Sequence, residues 1–314
     1  MNSTPSIRFL AICGLLLCSF WAASASGATG SFQQTLSVDG PLVLDVSTGS
    51  GSIEISSGNS QRVEVTGHIR VSSGSFLGIF KLNSSEKQEL VDQLESEPPI
   101  SLVDGHLTVG HLEGSEFRNV SISYEIVVPA GSEVISRTGS GAMTIAGVAG
   151  PVKAKTGSGS IALTDIGAAV TARSGSGAIR ADEIAGAFEA HTGSGSVRLT
   201  QVAPGDVEVT AGSGKIELHG VVGALRARAG SGRIEIDGRQ DGDWNVDTGS
   251  GSVRIRLPDD AAFELDAHTG SSGITVDHPL TIQGKVSKKR MRGEVRGGGD
   301  LLAVETGSGG ITIE

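Results

Sequence analysis

Apolar and polar residues alternate in short runs through the second half of the chain, and a glycine corner separates one run from the next. In one unit, Val152 and Ala154 precede Gly-Ser-Gly, and Ile161 and Leu163 follow it. A period of two on both sides of the glycines indicates two strands rather than a helix. The same pattern predicts one inward column that contains Ile161, Ile179, Val197, Ile216, Ile234 and Val253.

The tripeptide Gly-Ser-Gly recurs at a nearly fixed spacing, in steps of 18 or 19 residues, at Gly139, Gly157, Gly175, Gly193, Gly212, Gly230 and Gly249. A Gly-Ser-Ser-Gly variant begins at Gly270, and further copies begin at Gly49 and Gly307. Such a period is typical of a solenoid, and a unit this short has no room for a crossover helix. We therefore predict an all-β parallel β-helix, or β-solenoid, with coils of about 18 residues, in which each strand pairs with its equivalent one coil away, about 4.8 Å along the axis.

The repeat also predicts the internal structure of a coil. Glycine at the corner is expected to supply backbone angles that are closed to other residues. Hydroxyl groups stacked beside the corner are expected to bond corner backbone groups, at Thr138, Thr156, Ser174 and Thr192. A third apolar position, near another turn, is assigned to Ile166, Ile184, Val202 and Val221. Alternating small and large inward residues predict a filled interior.

The first residues are typical of an export signal. Arg8 precedes an apolar run that ends near Ala23, and Ala23-Ser24-Ala25 has the small-residue pattern of a signal-peptidase site. The run is too short to predict a membrane span, and no later segment approaches 18 apolar residues. We predict a signal peptide at 1–25, a mature chain without a transmembrane segment, and a periplasmic, cell-surface or extracellular location.

The rest of the chain forms two parts, or one continuous domain over 26–314. An N-terminal β region at 26–130 is interrupted at about 84–97, where a polar run before two prolines predicts a short helix. β-Solenoid repeats follow at 131–314. Lysine and arginine are concentrated at about 284–299, which we predict to be a basic hairpin or loop inserted next to one coil before the last corner.

Composition and charge narrow the possible functions. The chain has 314 residues, of which 47 are glycine, and a net charge of −10. Nucleic-acid binding needs a basic footprint, so this acidic balance argues against a nucleic-acid partner. Both cysteines, Cys13 and Cys18, lie inside the predicted signal peptide, and the mature chain is therefore expected to contain no disulfide.

The repeat resembles that of a known family. The unit at 152–163, Val-Lys-Ala-Lys-Thr-Gly-Ser-Gly-Ser-Ile-Ala-Leu, is similar to those of the bacterial β-strand-repeat family of putative adhesins, domain of unknown function 4097. The segment 123–129, Ser-Tyr-Glu-Ile-Val-Val-Pro, resembles the strand that leads into that repeat, and the basic segment before 305–309 resembles its closing part. The resemblance covers about residues 30–314. It implies the fold and an adhesin role, and it carries no catalytic or binding residues.

Polysaccharide lyases and hydrolases also use β-helices, and their sites need converging carboxylates. Acids occur on neighbouring coils or side by side at Asp165, Asp182, Glu183, Asp259 and Asp260. No aromatic platform accompanies them, because Phe188 and Trp244 take inward positions. We interpret these acids as solvated turn residues and predict no enzyme, no catalytic residue, no metal site and no cofactor.

One outward column is basic. Two residues before four successive corners stand Arg137, Lys155, Arg173 and His191, which we call the cationic stripe. Their side chains alternate with inward residues and are expected to project in register at about 4.8 Å spacing. The functional interpretation is a site for an acidic glycan or another anionic component of the cell surface or envelope. The alternative is a solvated face that the acidity of the whole chain balances.

The leading hypothesis is a non-enzymatic, exported β-solenoid that acts as an adhesin or as a cell-envelope binding or structural scaffold. Two other classes stay open: a polysaccharide-acting β-helix enzyme, and a periplasmic sensor module in envelope stress signalling. A deep groove with several converging acids would favour the enzyme. A flat surface of side-chain ladders would favour the scaffold.

Overall fold

The computed structural model describes residues 27–58, 61–72, 83–112, 114, 116–282 and 287–314. The predicted signal peptide and the first residues of the basic insertion, 284–286, lie outside the described residues. Strands dominate the described ranges, and none of the helices there is long and apolar enough to cross a membrane.

The described residues of the N-terminal part form seven strands, one α-helix and one 3₁₀ helix. In chain order they are β1 (Ala28–Ser37), β2 (Val43–Thr48), β3 (Ile53–Gly58), β4 (Arg62–Val71), α1 (Ser84–Ser96), β5 (Ile100–Val103), β6 (His106–Val109), the 3₁₀ helix (Glu116–Asn119) and β7 (Val120–Pro129).

The regular coils and the basic hairpin follow. Their strands are β8 (Glu133–Thr138), β9 (Met143–Ala146), β10 (Val152–Thr156), β11 (Ile161–Ile166), β12 (Val170–Ser174), β13 (Ile179–Ile184), β14 (Phe188–Thr192), β15 (Val197–Gln201), β16 (Val207–Ala211), β17 (Ile216–Ala229), β18 (Ile234–Thr248), β19 (Val253–Arg256), β20 (Phe263–Thr269), β21 (Ile274–Val276), β22 (Leu280–Ile282), β23 (Arg290–Val295), β24 (Leu301–Thr306) and β25 (Ile311–Ile313).

These strands form the predicted β-solenoid. Each strand before a corner pairs in parallel with the equivalent strand of the next coil, as β10 does with β12, and each strand after a corner does the same, as β11 does with β13. We call the two resulting surfaces the pre-corner sheet and the post-corner sheet. The predicted inward column lies in the post-corner sheet, and all six of its side chains are at most 1% exposed. The interior is therefore filled by side chains.

A ladder of hydroxyl groups joins neighbouring coils at the corners. The hydroxyl of Thr156 accepts a hydrogen bond from Gly159 N (3.0 Å) and donates one to Gly141 O of the coil before (3.2 Å). The four predicted hydroxyls all make this pair of bonds, which confirms their role. The ladder is interrupted where Ala211 and Ala229 replace the hydroxyl residue.

The corners need glycine for a different reason from the one expected. Among the described residues, no glycine of a Gly-Ser-Gly corner has a φ in the left-handed region. Instead, a Cβ on Gly159 would lie 1.8 Å from the carbonyl oxygen of Gly141. The same clash occurs at Gly141, Gly177, Gly195, Gly214, Gly232, Gly251 and Gly309, but not at Gly273 of the last corner in the stack. Close stacking of the coils therefore requires glycine here. The left-handed positions lie at the third side of the coil, at Gly147, Asp165, Glu183 and Gly220.

The third side of the coil also differs from the prediction at one point. Ile166, Ile184 and Val221 are buried, but Val202 is 60% exposed. Gln201 takes the inward position instead, and its amide nitrogen donates to Gly205 O at 2.8 Å. The strand register shifts at this coil, which moves the apolar residue outward and leaves a polar side chain to satisfy the backbone.

The order of the coils differs from the order of the chain at the far end. β24 pairs with β18 on one side and with β20 on the other, and β25 pairs likewise with β19 and β21. We call β24 and β25 the inserted coil, because its corner at Gly307 stacks between those of Gly249 and Gly270. The prediction of one coil and an inserted hairpin or loop after Gly270 explained the number of residues between the corners at Gly270 and Gly307. It did not anticipate this order of the coils in the stack. The described part of the basic insertion is a hairpin in which β22 and β23 pair antiparallel.

A similar departure occurs at the other end. β2 and β3 form a coil that stacks on β8 and β9, and β6 and β7 stack on its opposite side although they come later in the chain. β4 and β1 add antiparallel strands beyond β7. The predicted helix is confirmed as α1, which packs on β1 through the buried Val91. It begins with a capping box between Asn83 and Glu86.

The interrupted ladder generates a stability prediction. We expect Ala211→Thr to restore bonds to Gly195 O and Gly214 N, because a hydroxyl makes the equivalent bonds at the ladder positions of other coils. The matched control is Ala211→Val, which has the same shape without the hydroxyl. In denaturant unfolding, the threonine variant should be more stable than the valine variant by about 1–2 kcal/mol. Equal stability of the two variants would show that the hydroxyl does not stabilise the corner.

Candidate functional site

The cationic stripe lies on the pre-corner sheet, on four consecutive strands. Strand register places Arg137 beside Lys155, Lys155 beside Arg173, and Arg173 beside His191. All four side chains are exposed, as their alternation with inward residues predicted. The site is therefore a straight outward column whose spacing is set by the backbone hydrogen bonds of the sheet.

Acidic side chains compensate part of the stripe. Arg137 donates to Asp45 at 2.7 Å, and Arg173 donates to Glu189 at 2.6 Å. Lys155 makes no ion pair with the described residues and lies between the two pairs. The stripe therefore offers one uncompensated cation at its centre and two arginines whose carboxylate partners are themselves solvent-accessible.

Asp45 was missed as a partner in the sequence. It stands four residues before the Gly49 corner, as Lys153 does before Gly157, so alignment of the first copy of the repeat with the others assigns it to the outward surface. The sequence does not indicate that this coil stacks directly against β8, because 84 residues lie between the end of β2 at Thr48 and the start of β8 at Glu133. The antiparallel strands, the helix and the coil of β6 and β7 occupy that interval.

Beyond His191 the outward column is no longer uniformly basic. It continues through Thr210, Arg228, Asp247, Glu305 and His268. His268 lies 3.7 Å from Glu305. In this part of the column Thr210 is uncharged, and the two acids Asp247 and Glu305 are direct neighbours. The uninterrupted basic section is therefore confined to the four residues of the stripe.

The acids considered for catalysis have other roles or point to solvent. Asp165 and Glu183 occupy the left-handed turn positions of their coils and are exposed, and Asp182 accepts a hydrogen bond from Thr200 at 3.1 Å. Asp259 and Asp260 are exposed. None of the described residues forms a group of three or more histidine, cysteine, aspartate or glutamate side chains that could hold a metal ion.

A depression with a volume of about 630 Å³ lies on the pre-corner side. Four acids line it: Glu189, Asp206, Glu208 and Asp243. Glu189 pairs with Arg173, Asp206 accepts from Ala224 N, and Asp243 accepts from Leu301 N. Three of the four carboxylates therefore hold the fold or the stripe in place.

A family model described as Toastrack DUF4097 matches residues 44–314. The chain belongs to the Toastrack family. The match includes every strand from the second residue of β2 onward, and it confirms the family resemblance seen in the repeat. No curated protein matches the chain.

Two solved structures are similar to this Toastrack chain. A putative cell adhesion protein from Clostridium sporogenes ATCC 15579 shares 12% identity over 90% of this chain and 99% of its own, with a TM-score of 0.25. A putative adhesin from Bacteroides fragilis NCTC 9343 shares 11% identity over 91% and 97% of the two chains, with a TM-score of 0.39.

The post-corner sheet of this Toastrack chain carries a charge network of its own. Lys215 lies 2.8 Å from Glu235 and also donates to Glu217, and Arg198 donates to Glu217 at 2.5 Å. Hydrogen bonds from Lys215 hold the pKa of Glu217 and that of Glu235 below their ordinary values, and the two carboxylates raise the pKa of Lys215. Most of the described cationic side chains on this sheet therefore form ion pairs with acidic side chains of the same chain.

This network predicts a pH-dependent stability difference. Glu217 and Glu235 are neighbours in register, so Lys215→Gln removes the cation between two like charges. A lowered carboxyl pKa contributes stability above its unfolded value, and this contribution is lost as pH falls through the folded value. We expect the variant to be less stable than the parent at pH 7 by up to about 1 kcal/mol, given solvent screening. The difference should shrink as pH falls below about 4, through the lowered pKa values of the two carboxyl groups. Thermal unfolding across pH measures this, and a pH-independent difference would contradict it.

Proposed function

We propose that the chain is an exported, non-enzymatic β-solenoid that binds an acidic glycan of the cell surface or envelope and acts as an adhesin or binding scaffold. The observation that carries the proposal is the cationic stripe, an in-register outward column on a filled solenoid. A linear polyanion can follow such a column because each coil presents its side chain at the same height and spacing.

The charge arrangement within the stripe supports binding of a polymer rather than of a small ion. Lys155 is exposed and makes no ion pair with the described residues. It is flanked by Arg137 and Arg173, whose carboxylate partners are themselves accessible to solvent. A glycan carboxylate can compete for these arginines at small cost, because exposed ion pairs contribute only about 0–1 kcal/mol. The net charge of −10 means that any attraction for a polyanion must be local to such a column.

The arrangement of the acids supports a non-enzymatic role. Hydrolases that cleave glycosidic bonds use two carboxyl groups placed on either side of the bond. The acids that line the depression on the pre-corner side are mostly engaged in ion pairs or backbone hydrogen bonds. A binding function requires no such pair of free carboxyl groups.

The stripe is tested by chromatography on an immobilised polyuronate. The parent should be retained at low salt and released as the ionic strength rises, since exposed charges are screened beyond about 8 Å at physiological ionic strength. A triple variant with Arg137→Ser, Lys155→Ser and Arg173→Ser should lose retention. Its thermal midpoint should change little, because all three side chains are exposed.

The matched control is a triple variant of the post-corner sheet with Arg180→Ser, Arg198→Ser and Arg254→Ser. It removes the same charge, and it also contains two paired arginines and one without an ion pair among the described residues. It should be retained like the parent. Equal retention of all three proteins, or no retention of the parent at low salt, leaves the stripe as a solvated face.

Export is tested separately, by fractionating cells that produce the full chain with a C-terminal tag. The signal-peptide pattern predicts a shortened protein that begins at Ser26, outside the cytoplasm. The control is a chain in which Ala23→Arg and Ala25→Arg block the cleavage pattern, and it should keep its full mass. A full-length parent in the cytoplasmic fraction would disprove export.

A further inference from the structure

The first corner of the stack lacks a contact that the other corners make. At each later corner the first glycine N–H donates to a carbonyl oxygen of the coil before, as Gly139 N does to Thr48 O at 3.1 Å. The same bond recurs at Gly157, Gly175, Gly193, Gly212, Gly230, Gly249, Gly307 and Gly270. Gly49 N has no such backbone partner among the described residues.

The cause is a longer connection in the coil that precedes this corner. That coil consists of β6 and β7, and residues 110–119 join its two strands where the regular coils have a short glycine corner. Beyond this connection the normal contacts resume, because Thr48 donates from its hydroxyl to Ile122 O at 2.7 Å. The connection therefore leaves space beside Gly49 where the carbonyl groups of a regular corner would stand.

The space is a cavity of about 380 Å³. Gly49 and Ser50 line one side, and Leu112, Phe117 and Val120 give it apolar walls. Its volume exceeds that of a single sugar ring and is too small for a folded partner. A ligand there would contact both the first corner and the 110–119 connection.

Tyr124 supplies a second unsatisfied donor. Its side chain lines the cavity and is 1% exposed, and its hydroxyl has no hydrogen-bond partner among the residues that the structure describes. Burial raises the pKa of this hydroxyl, which therefore stays protonated as a donor. Buried hydroxyl groups without partners are rare because each one costs free energy. The chain can pass over it only because Gly110, with φ at +78°, has no Cβ to strike the hydroxyl.

The charge of the lining favours an anion. Arg118 is exposed at the cavity and makes no ion pair with the described residues. His111 also lines the cavity, and its imidazole lies 3.3 Å from Asp45, the carboxylate that holds Arg137 of the stripe. Arg118 can bind a carboxylate, and the Gly49 N–H and the Tyr124 hydroxyl can donate to other oxygens of the same ligand.

The cavity is continuous with the cationic stripe. Ser47 lines it, and strand register places Ser47 directly beside Arg137. A polymer lying along the stripe would therefore bring its end to the mouth of the cavity. One continuous surface thus combines a column for a chain with a recessed site for its terminal unit.

We propose that this cavity, with Gly49, Arg118 and Tyr124 as its ligand-binding residues, holds the terminal uronic-acid residue of the acidic glycan. This inference rests on the proposed function, because it identifies the ligand as the end of the polymer bound by the stripe. The stripe supplies attraction along the chain, and the cavity supplies recognition of one acidic sugar.

The test uses D-glucuronate, which fits the cavity alone, and a uronic-acid tetrasaccharide, which also reaches the stripe. Isothermal titration of the full chain should show glucuronate binding that Tyr124→Phe and Arg118→Gln each weaken by about tenfold or more. The control Arg226→Gln, an exposed arginine elsewhere on the pre-corner sheet, should bind glucuronate like the parent. The triple stripe variant should also bind glucuronate normally but bind the tetrasaccharide more weakly.

The tyrosine gives a direct second readout, because Tyr124 is the only tyrosine in the chain. Binding should shift the near-ultraviolet tyrosine absorption of the parent and of the triple stripe variant. Tyr124→Phe should fold normally, since it removes only an unsatisfied buried hydroxyl. Its circular dichroism and thermal midpoint verify this.

Three results would overturn the assignment. If the tetrasaccharide binds through the stripe but glucuronate does not bind, the cavity is wrong and the proposed function stands. If glucuronate binds but the tetrasaccharide gains nothing from the stripe, the proposed function and the terminal-residue assignment fail together. If an acidic dipeptide binds as tightly as glucuronate, the ligand is not a sugar.

Discussion

At the glycine corners neighbouring coils stack so closely that a Cβ atom would not fit between them, and much of the structure depends on this contact. The carbonyl oxygen of one corner lies where a Cβ of the next corner would be, as for Gly141 and Gly159. This contact sets the corners at the same spacing as the strand hydrogen bonds, so both sheets run straight past the turn. The ladder hydroxyls then bond both corners, and the inward columns of apolar residues can stack without offset.

A filled interior and a fixed spacing restrict where the molecule can interact with anything else. Inward positions are occupied by side chains from end to end, so binding chemistry is confined to outward columns and to places where the stacking changes. The stripe is of the first kind, with Lys155 at its centre. The cavity beside Gly49 is of the second kind, because it arises where one coil has a long connection in place of a corner.

The sequence was sufficient for the strands, the inward columns, the hydroxyl ladder, α1 and the hairpin, because each leaves a local periodic or capping signal. It was insufficient for the order of the coils. Every coil presents nearly the same Thr-Gly-Ser-Gly edge, so nothing in the residues states that Gly307 belongs between Gly249 and Gly270. The inward position of Gln201, whose side-chain amide bonds a backbone carbonyl, was also missed. The ion pair of Asp45 with Arg137 was missed as well, because that pair depends on the order of the coils.

The inserted coil has a consequence for the order of assembly. A solenoid can usually grow by adding each coil to the one just formed, with short loops to close. Here β20 and β21 have no place on the stack until β24 and β25, which are synthesised later, have bound β18 and β19. Residues 263–276 can therefore dock only after the later strands are in place. This docking is a non-local step, and it should be slower than the growth before it. The far end of the molecule would remain open until that step is complete.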